Sequence, residues 1–289
     1  MLLEMDLQGA DWFVTAFYAN EPRMIDVFKS GKSPHPVTGK LMFGMPEELI
    51  TRESKLVGLN NDPIAIEEIR KQLPELSQYQ NLPRSMSIRQ ASKKSNHGGN
   101  YREAYKTFSL VNEIQETEGK RWLELYHKAY PGLRERWYPW IDKTISDTRI
   151  LTNCFGRSVY FQGALNDETF RQATAFVPQS TVFDVTGHAM PRIFEDDSPD
   201  FAPAELLAQV HDSLLMQYTS RDFRAMARYA VKVGLGYMSP TLRYNDMEFT
   251  LGVGLKVGRS WGSMEEIKLT PDPDALAIEL ERVYDKVYS

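Results

Sequence analysis

Four residues with chemically useful side chains recur at every fourth position of one short segment: Arg89, Lys93, His97 and Tyr101. In an α-helix a step of four residues drifts by only about 40° around the axis, so these side chains would project along one stripe. Cations can hold a polyphosphate, and flat rings can support a base and a sugar. The stripe, to which Lys94 adds a neighbouring cation, therefore suits the binding of a nucleotide. A solvated basic helix with its aromatic residues turned to the core is the alternative, because charge runs are common on helices.

Two aspartates far from this stripe lie in apolar segments. Asp6 lies in the run 2–12, where small residues and a second acid, Asp11, follow it. Asp212 lies in a His-Asp-Ser step that interrupts the apolar run 206–216, which the pattern predicts to be a buried strand. An aspartate in such a strand is costly unless a cation or hydrogen bonds satisfy it. Either aspartate alone fits a turn or a helix cap, but both together with the stripe favour a functional site.

The order of these motifs resembles the polymerase core of family A DNA polymerases, the DNA polymerase I group, and looks most like its bacteriophage members. The resemblance covers essentially the whole chain, and the ordered set is far more specific than any one motif. In chain order the motifs are a first metal-binding motif at Asp6–Asp11, a fingers-helix motif at Arg89–Tyr101, a strand turn at Asn153–Arg157, a helix that touches template and primer at Arg171–Gln179, a third motif at Val210–Asp212 and a phage-type C-terminal strand at Lys256–Gly262.

The resemblance implies template-directed DNA synthesis, in which a primer 3′-hydroxyl attacks the α-phosphate of a dNTP and pyrophosphate leaves. Two Mg²⁺ ions, or Mn²⁺ in their place, would be held by Asp6, Asp212 and the backbone carbonyl of Leu7. Two divalent ions can stabilise both the attacking and the leaving oxygen of such a transfer. Lys93 would protonate the departing pyrophosphate, so the implied catalytic residues are Asp6, Lys93 and Asp212.

The resemblance also implies residues that bind the nucleotide and the DNA. For the nucleotide they are Arg89 and Lys93 at the triphosphate, Tyr101 near the templating base pair, His97 beside the sugar, Asp11 at the ribose 2′ position and His35 facing a phosphate. For the DNA they are Arg171 and Gln179 near the primer terminus, His211 on the primer strand and Lys94 on the backbone. A plain turn residue is an almost equally good interpretation of His35, and a solvated cation is a good interpretation of Lys94.

Four positions depart from the usual pattern of the family. Asp11 stands where many members have glutamate, and His97 replaces an aromatic residue that packs on the sugar. Ser213 stands where glutamate is commoner, and Arg102 replaces a glycine. None of the four removes a metal ligand, so we expect an active enzyme with altered sugar selectivity and turnover.

Composition is that of an ordinary globular protein of 289 residues, with 42% hydrophobic and 25% charged residues. No stretch approaches 18 uninterrupted apolar residues, and the N-terminus has no signal pattern. A single cysteine, Cys154, excludes an internal disulfide and a cysteine-rich zinc site. Five scattered histidines show no His-x3-His pair. These features suit a cytoplasmic protein, and by the resemblance the cytoplasm would be that of an infected bacterial host.

The net charge of −5 argues weakly against a nucleic-acid-binding protein, but the charges are unevenly distributed. Residues 84–107 contain six lysines and arginines and one acid, whereas acids concentrate at 195–200 and in the C-terminal segment. A basic channel on an acidic body is compatible with this pattern. The overall charge predicts weak DNA affinity for this chain alone.

The predicted fold class is α+β: a polymerase palm, formed by an antiparallel sheet with flanking helices, plus an inserted helical fingers subdomain. The predicted boundaries are 1–12 for the palm with the first catalytic strand, 13–165 for the fingers, and 166–289 for the palm with the second catalytic hairpin and the C-terminal strands. The predicted elements are a strand at 2–7, a helix at 12–30, a turn at 32–36, a helix near 62–72, a long helix from about Ser85, two helices within 110–147, a hairpin at 149–162, a helix at 166–192 broken near Pro178, a hairpin at 205–219, a helix at 220–233, strands at 246–251 and 253–258, and a helix from Pro273. Gly98 and Gly99 mark either a point where the long helix moves or a bend around packing.

The expected partners are primer-template DNA, dNTPs and a separate polypeptide that bears a thumb and an exonuclease, because only five residues precede Asp6. On that interpretation the chain is a fragment or one half of a split polymerase. A single-subunit phage-type RNA polymerase fragment is an alternative, and Asp11 disfavours it because an acid there would crowd a 2′-hydroxyl. A non-catalytic nucleic-acid-binding remnant is the other alternative, and the intact pair Asp6 and Asp212 disfavours it.

Overall fold

The computed structural model describes residues 1–58 and 62–288. Residues 59–61 of the predicted fingers and Ser289 of the predicted palm lie outside the described residues. The chain divides into two compact units. The sheet unit contains Met1–Asp11, Asn153–Arg157 and the residues from Pro178 onward. The helical unit contains Trp12–Thr152 and Ser158–Val177.

The strands form one five-stranded sheet and two short ribbons. In chain order they are β1 (Leu2–Leu7), β2 (Ile150–Thr152), β3 (Ser158–Tyr160), β4 (Ala204–Val210), β5 (Ser213–Tyr218), β6 (Leu242–Tyr244), β7 (Met247–Phe249), β8 (Val253–Gly258) and β9 (Glu265–Ile267). The large sheet has the order β4-β5-β1-β8-β9, and all its neighbouring strands are antiparallel. The ribbons are β2-β3 and β6-β7. This sheet with flanking helices confirms the predicted α+β class.

Twelve α-helices occupy most of the remaining described chain. They are α1 (Ala10–Tyr18), α2 (Pro22–Lys29), α3 (Pro34–Phe43), α4 (Glu47–Val57), α5 (Pro63–Lys71), α6 (Ile88–Asn100), α7 (Tyr105–Val111), α8 (Glu116–Ala129), α9 (Tyr138–Thr148), α10 (Asp167–Phe194), α11 (Phe223–Val231) and α12 (Pro273–Tyr288). Single 3₁₀ or π turns lie at Pro74–Gln78, Leu133–Trp137, Lys232–Tyr237 and Trp261–Ser263. Within the described chain, no helix is both long and apolar enough to cross a membrane.

Strand β1 shows why the sheet presents its acids on one face. Leu3, Met5 and Leu7 are buried, whereas Glu4 and Asp6 between them are partly exposed. Successive side chains of a strand point to opposite faces, so the three apolar residues enter the core and the two acids share the other face. The strand prediction at 2–7 is therefore confirmed together with its alternation.

The core of the helical unit is rich in aromatic residues. Trp122, Tyr126, Tyr130 and Trp137 are almost completely buried. The Trp12 indole donates to the Tyr126 hydroxyl at 3.1 Å, and that hydroxyl donates to Asn100 at 2.9 Å. The Tyr126 hydroxyl thus links Trp12 to Asn100 of α6 inside a core of large buried rings.

Three predicted elements of the fold are wrong, and proline explains each of them. The helix predicted at 12–30 is two helices, because the chain leaves α1 after Tyr18 and restarts at Pro22. The turn predicted at 32–36 is instead the start of α3, since proline at the first helical position loses no hydrogen bond. The helix predicted to break near Pro178 runs unbroken from Asp167 to Phe194, although the division between the units falls at that proline.

The remaining element predictions are largely confirmed. The helix near 62–72, the helices of 110–147, both hairpins and the C-terminal helix are present. Helices α3, α4 and α7 and strands β6 and β9 were not predicted. At Gly98 a Cβ atom would lie 2.6 Å from the Phe108 ring, and at Gly99 it would overlap the Tyr126 ring. Close packing therefore accounts for both glycines.

Candidate active site

The two aspartates singled out in the sequence lie at the same end of neighbouring strands in the sheet unit. Asp6 is near the end of β1 and pairs with Ser213 of β5. Asp212 lies in the two-residue turn between β4 and β5, and its carbonyl accepts a hydrogen bond from the Leu7 N–H at 3.3 Å. The sheet register thus brings Asp6, Leu7 and Asp212 together from segments about 200 residues apart.

Electrostatics at this strand end favour the arrival of a cation. Burial raises the pKa of Asp212, and the negative charges of Asp11 and Asp6 raise it further. A divalent ion bound among these three carboxylates would reduce the repulsion between them. Mg²⁺ prefers one or two carboxylates and completes its shell with water and substrate phosphates. The side chains present fit such an ion, even though the described residues include no group of three His, Cys, Asp or Glu that would hold a metal by itself.

His211 occupies the first position of the same turn. Its φ is +55°, in the left-handed region that a two-residue hairpin turn requires. Its side chain is exposed, and its carbonyl accepts a hydrogen bond from the Gln209 amide at 3.4 Å. The turn therefore presents the imidazole to solvent beside Asp212.

Gly254 on β8 faces Asp6 across the sheet. A Cβ atom at this position would lie 2.9 Å from Asp6 Oδ1 and 3.0 Å from Gln8 Nε2. Glycine in a strand often marks a place where another group must approach closely. The missing side chain therefore leaves room for the Asp6 carboxylate.

We expect Gly254→Ala to reduce nucleotide incorporation by about tenfold or more, because the new methyl group displaces Asp6 and small misplacements of catalytic groups are costly. Single-turnover incorporation measures the effect. Gly262→Ala is the matched control, since a Cβ atom there meets nothing within 4 Å. Equal rates for the two variants would show that Gly254 does not shape the site.

Three further residues of the sheet unit were not identified from the sequence. Lys256 Nζ lies 3.1 Å from Glu4 Oε2 and 3.7 Å from Asp6 Oδ1. The Trp261 indole donates to Glu4 Oε1 at 3.0 Å. The alternation of β1 already places Glu4 on the face of Asp6, so this acid was predictable. Lys256 was not, because its neighbours depend on the pairing of β1 with β8.

In the helical unit, α6 presents the predicted basic stripe. The Ser87 hydroxyl caps the helix by accepting from the Gln90 N–H at 3.1 Å. Lys93 and His97 are exposed and Arg89 is half-buried. Tyr101 is not on the helix as predicted: it is the C-cap residue and is 9% exposed. Its ring meets the His97 ring edge-on at 4.9 Å, so the two rings still adjoin.

A cavity of about 610 Å³ lies along this stripe within the helical unit. The polar and aromatic residues that line it include Lys93, Lys94, His97, Tyr101, Glu103 and Arg171. Burial raises the pKa of Glu103, and the charges of Lys94 and Arg171 partly offset this rise. The structure thus brings five of the predicted site residues together and adds Glu103, which sequence reasoning did not identify.

His35 lies against the buried side of the same helix. The Asn96 amide lies 3.0 Å from His35 Nδ1, and Asn96 also accepts from the Thr38 hydroxyl at 2.8 Å. Burial, together with the positive charges of Arg89 and Lys93, lowers the pKa of His35 to about 4. His35 is therefore a neutral side chain beside two of the predicted triphosphate-binding cations.

We expect His35 to titrate near pH 4 in the free protein, well below its ordinary value of 6.5. As the pH falls, His35 of the unfolded chain is protonated near pH 6.5, whereas His35 of the folded chain is protonated only near pH 4. The free energy of unfolding should therefore fall as the pH drops from 6.5 towards 4. A histidine NMR titration measures the value, with His35→Gln to assign the signal. Triphosphate bound nearby should raise the pKa, because anionic oxygens favour the imidazolium. A free-protein value near 6.5 would contradict this environment.

Helix α10 contains two of the four residues predicted to contact DNA. Arg171 is half-buried at the cavity in the helical unit, and Gln179 is exposed in the part of α10 that belongs to the sheet unit. The turn at Asn153–Arg157 is held to this second part through Asp184. Arg157 Nη2 donates to Asp184 at 2.6 Å, and the Asn153 amide donates to it at 2.7 Å. This clamp fixes the turn beside the exposed Gln179 segment.

Arg102 replaces the glycine expected after Tyr101. Its φ is +56°, so Arg102 adopts a left-handed backbone conformation that favours glycine. Its guanidinium donates to Asp142 at 2.5 Å and lies 5.4 Å from the Tyr138 ring centre. These contacts stabilise the left-handed backbone at the end of α6.

The sheet unit thus presents paired aspartates at one strand end, and the helical unit presents cations and rings on one helix, as the family resemblance predicts. The sequence profile of DNA polymerase family A matches residues 75–263. The chain belongs to this family.

The chain is also similar to thermostable DNA polymerase I enzymes of two Thermus species. The chain is 24% identical over 275 residues to the thermostable DNA polymerase I of Thermus aquaticus, covering 92% of this chain and 27% of that protein. It is 24% identical over 270 residues to the corresponding enzyme of Thermus filiformis, covering 90% and 27%. The chain thus spans about a quarter of the length of these relatives.

A solved structure has a similar fold. It is the polymerase domain of Pol1 from M. smegmatis, in complex with a DNA primer-template and dNTP. The TM-score is 0.63 at 18% identity, and the match covers 90% of this chain and 40% of that one.

Proposed function

We propose that this chain performs template-directed DNA synthesis, transferring a nucleotide from a dNTP to a primer 3′-hydroxyl. The observation that supports it most is the meeting of Asp6 and Asp212 at one strand end, with burial and like charges raising the pKa of Asp212. Membership of family A and the basic cavity along α6 support the same function.

In this proposal Asp6, the Leu7 carbonyl and Asp212 would hold two Mg²⁺ ions, which would supply charge neutralisation for the attacking and leaving oxygens. Arg89 and Lys93 bind the triphosphate, and Lys93 protonates the leaving pyrophosphate. His97 lies beside the sugar, Tyr101 stacks near the templating base pair, and neutral His35 supports the phosphate end. Phosphoryl transfer requires positioning and charge stabilisation more than covalent help, and these side chains provide both.

The proposed DNA contacts come from α10 and the β4–β5 turn. Arg171 and Gln179 contact the duplex near the primer terminus, His211 contacts the primer strand, and Lys94 contacts the backbone. Because the net charge is −5, we expect weak and salt-dependent binding of primer-template by these residues alone. Activity is therefore best measured at low salt and with primer-template in excess.

Asp11 is the proposed guard against ribonucleotides. It lies in the first turn of α1, and its charge acts on Asp212. Its side chain is one methylene shorter than glutamate, so we expect the barrier against a 2′-hydroxyl to be looser than in relatives with glutamate. Asp11→Ala should relax it further, by several-fold in the dNTP-to-rNTP preference.

Primer extension with dNTPs and with rNTPs measures this preference and also tests the function itself. Asp11→Glu is the matched variant, and it should tighten the exclusion of rNTPs. An unchanged preference in Asp11→Ala would show that another residue guards the sugar. Extension only with rNTPs would instead favour a phage-type RNA polymerase.

A further inference from the structure

The face of the sheet that bears Asp6 also bears an organised set of charges that the proposed reaction does not use. Glu4 and Asp6 alternate with buried residues on β1, and Lys256 is the residue opposite Glu4 on β8. The Lys256 ammonium is hydrogen-bonded to Glu4 at 3.1 Å but lies 3.7 Å from Asp6, beyond hydrogen-bond distance. It thus stands between two acids and is bonded to only one of them.

Glu4 is held in place from its other side. Its second carboxylate oxygen accepts from the Trp261 indole at 3.0 Å. Burial tends to raise the pKa of Glu4, but the hydrogen bonds from Trp261 and Lys256 outweigh it and lower the pKa. Its side chain is 12% exposed, against 38% for Lys256 and 32% for Asp6. Glu4 is therefore a mostly buried anion, held by two hydrogen bonds, that anchors a more exposed cation.

We propose that Lys256 is a positioning residue that serves as the counter-ion of Asp6 when no metal is bound. Glu4, itself fixed by Trp261, holds the Lys256 ammonium beyond hydrogen-bond distance of Asp6, so that a divalent cation can bind Asp6 in its place. The proposal rests on the assignment of Asp6 as a metal ligand. Without a metal, Asp6 repels the Asp212 carboxylate, and the Lys256 ammonium, 3.7 Å from Asp6, supplies a positive charge nearby. When a metal binds, Glu4 retains the ammonium and keeps it from competing for the Asp6 oxygens.

This arrangement predicts opposite effects for the two partners. Lys256→Met removes a competing cation and should tighten the binding of Mn²⁺ alone by about fivefold, the size expected for a partly exposed charge pair. Glu4→Gln frees the ammonium to approach Asp6 and should weaken Mn²⁺ binding by a similar factor. Lys256→Arg keeps the charge and should stay close to wild type.

A double-mutant cycle separates this mechanism from a general effect of net charge. If Glu4 acts through Lys256, Glu4→Gln should have little effect in the Lys256→Met background. Lys286→Met is the charge-matched control, since it removes the same charge from an exposed pair with Glu265. Free Mn²⁺ is measured by EPR during titration of the whole chain, and circular dichroism checks that each variant is folded.

Asp6→Asn separates failure of the inference from failure of the proposed function. Loss of Mn²⁺ binding in Asp6→Asn, with opposite shifts in Lys256→Met and Glu4→Gln that are not additive, would support the inference. Two results would overturn the inference alone, provided that Asp6→Asn loses Mn²⁺ binding. One is an equal Mn²⁺ affinity of Lys256→Met and Lys286→Met, and the other is additive effects of Glu4→Gln and Lys256→Met on that affinity. Unchanged Mn²⁺ binding in Asp6→Asn would overturn the metal assignment beneath it.

Discussion

Asp6→Asn and Asp212→Asn are each expected to reduce nucleotide incorporation by roughly a thousandfold, because each removes a carboxylate that would stabilise charge at the reacting phosphate. The amide has nearly the same shape, so the strand pairing of Asp6 with Ser213 should persist. Removing either charge also relieves the repulsion that raises the pKa of Asp212, so the free energy of unfolding should not fall. Single-turnover incorporation with Mg²⁺ and thermal unfolding measure the two effects.

Asp147→Asn is the matched control for this prediction, because Asp147 is an exposed partner of Lys143 in the helical unit. It should incorporate nucleotides at the wild-type rate. Substantial extension by Asp6→Asn or Asp212→Asn would contradict the assignment of these residues as metal ligands. A fall in stability of both variants, without loss of activity, would indicate a structural role instead.

Arg89→Ala and Lys93→Ala are expected to reduce kcat/KM for dNTPs by about a hundredfold each, since both meet the charge that develops on leaving pyrophosphate. Lys93 is exposed at the cavity along α6, and Arg89 lies one turn earlier beside His35. Lys94→Ala should have a much smaller effect, because its charge acts on Glu103. The pH dependence of kcat should change only in Lys93→Ala, where a proton donor is lost.

Lys106→Ala, an exposed position on α7, is the matched control for these substitutions. A larger loss in Lys94→Ala than in Lys93→Ala would show that the triphosphate-binding face of α6 is shifted by one residue. Equal small losses in all four variants would leave α6 as a solvated basic helix.

Sequence pattern predicted the parts of the fold that depend on local alternation and spacing. The buried Leu3, Met5 and Leu7 identify β1 without any knowledge of its neighbours. The helix predictions failed where a proline can either begin or end a helix. Pro34 and Pro36 suggested a turn, but they lie in the first turn of α3, where an N–H group would have no acceptor within the helix. Pro178 removes one backbone hydrogen bond of α10 without ending the helix.

The candidate site was predictable in its residue types but not in its supporting contacts. Motif order placed Asp6 and Asp212 in one site, and the helical period placed Arg89, Lys93 and His97 on one face. The roles of Gly254 and Lys256 depend on the pairing of β1 with β8, two segments about 250 residues apart. No local pattern encodes that register, so these residues emerge only from the folded chain.

Templated single-nucleotide addition tests the central proposal most directly. Four primer-templates that differ only in the first unpaired template base would each be offered all four dNTPs with Mg²⁺, in excess over the chain and at low salt. We expect each template to direct addition of its complementary nucleotide, and Asp212→Asn to add none at a comparable rate. Addition that ignores the template base, addition by Asp212→Asn at the wild-type rate, or no addition by the folded wild-type chain would contradict the proposal.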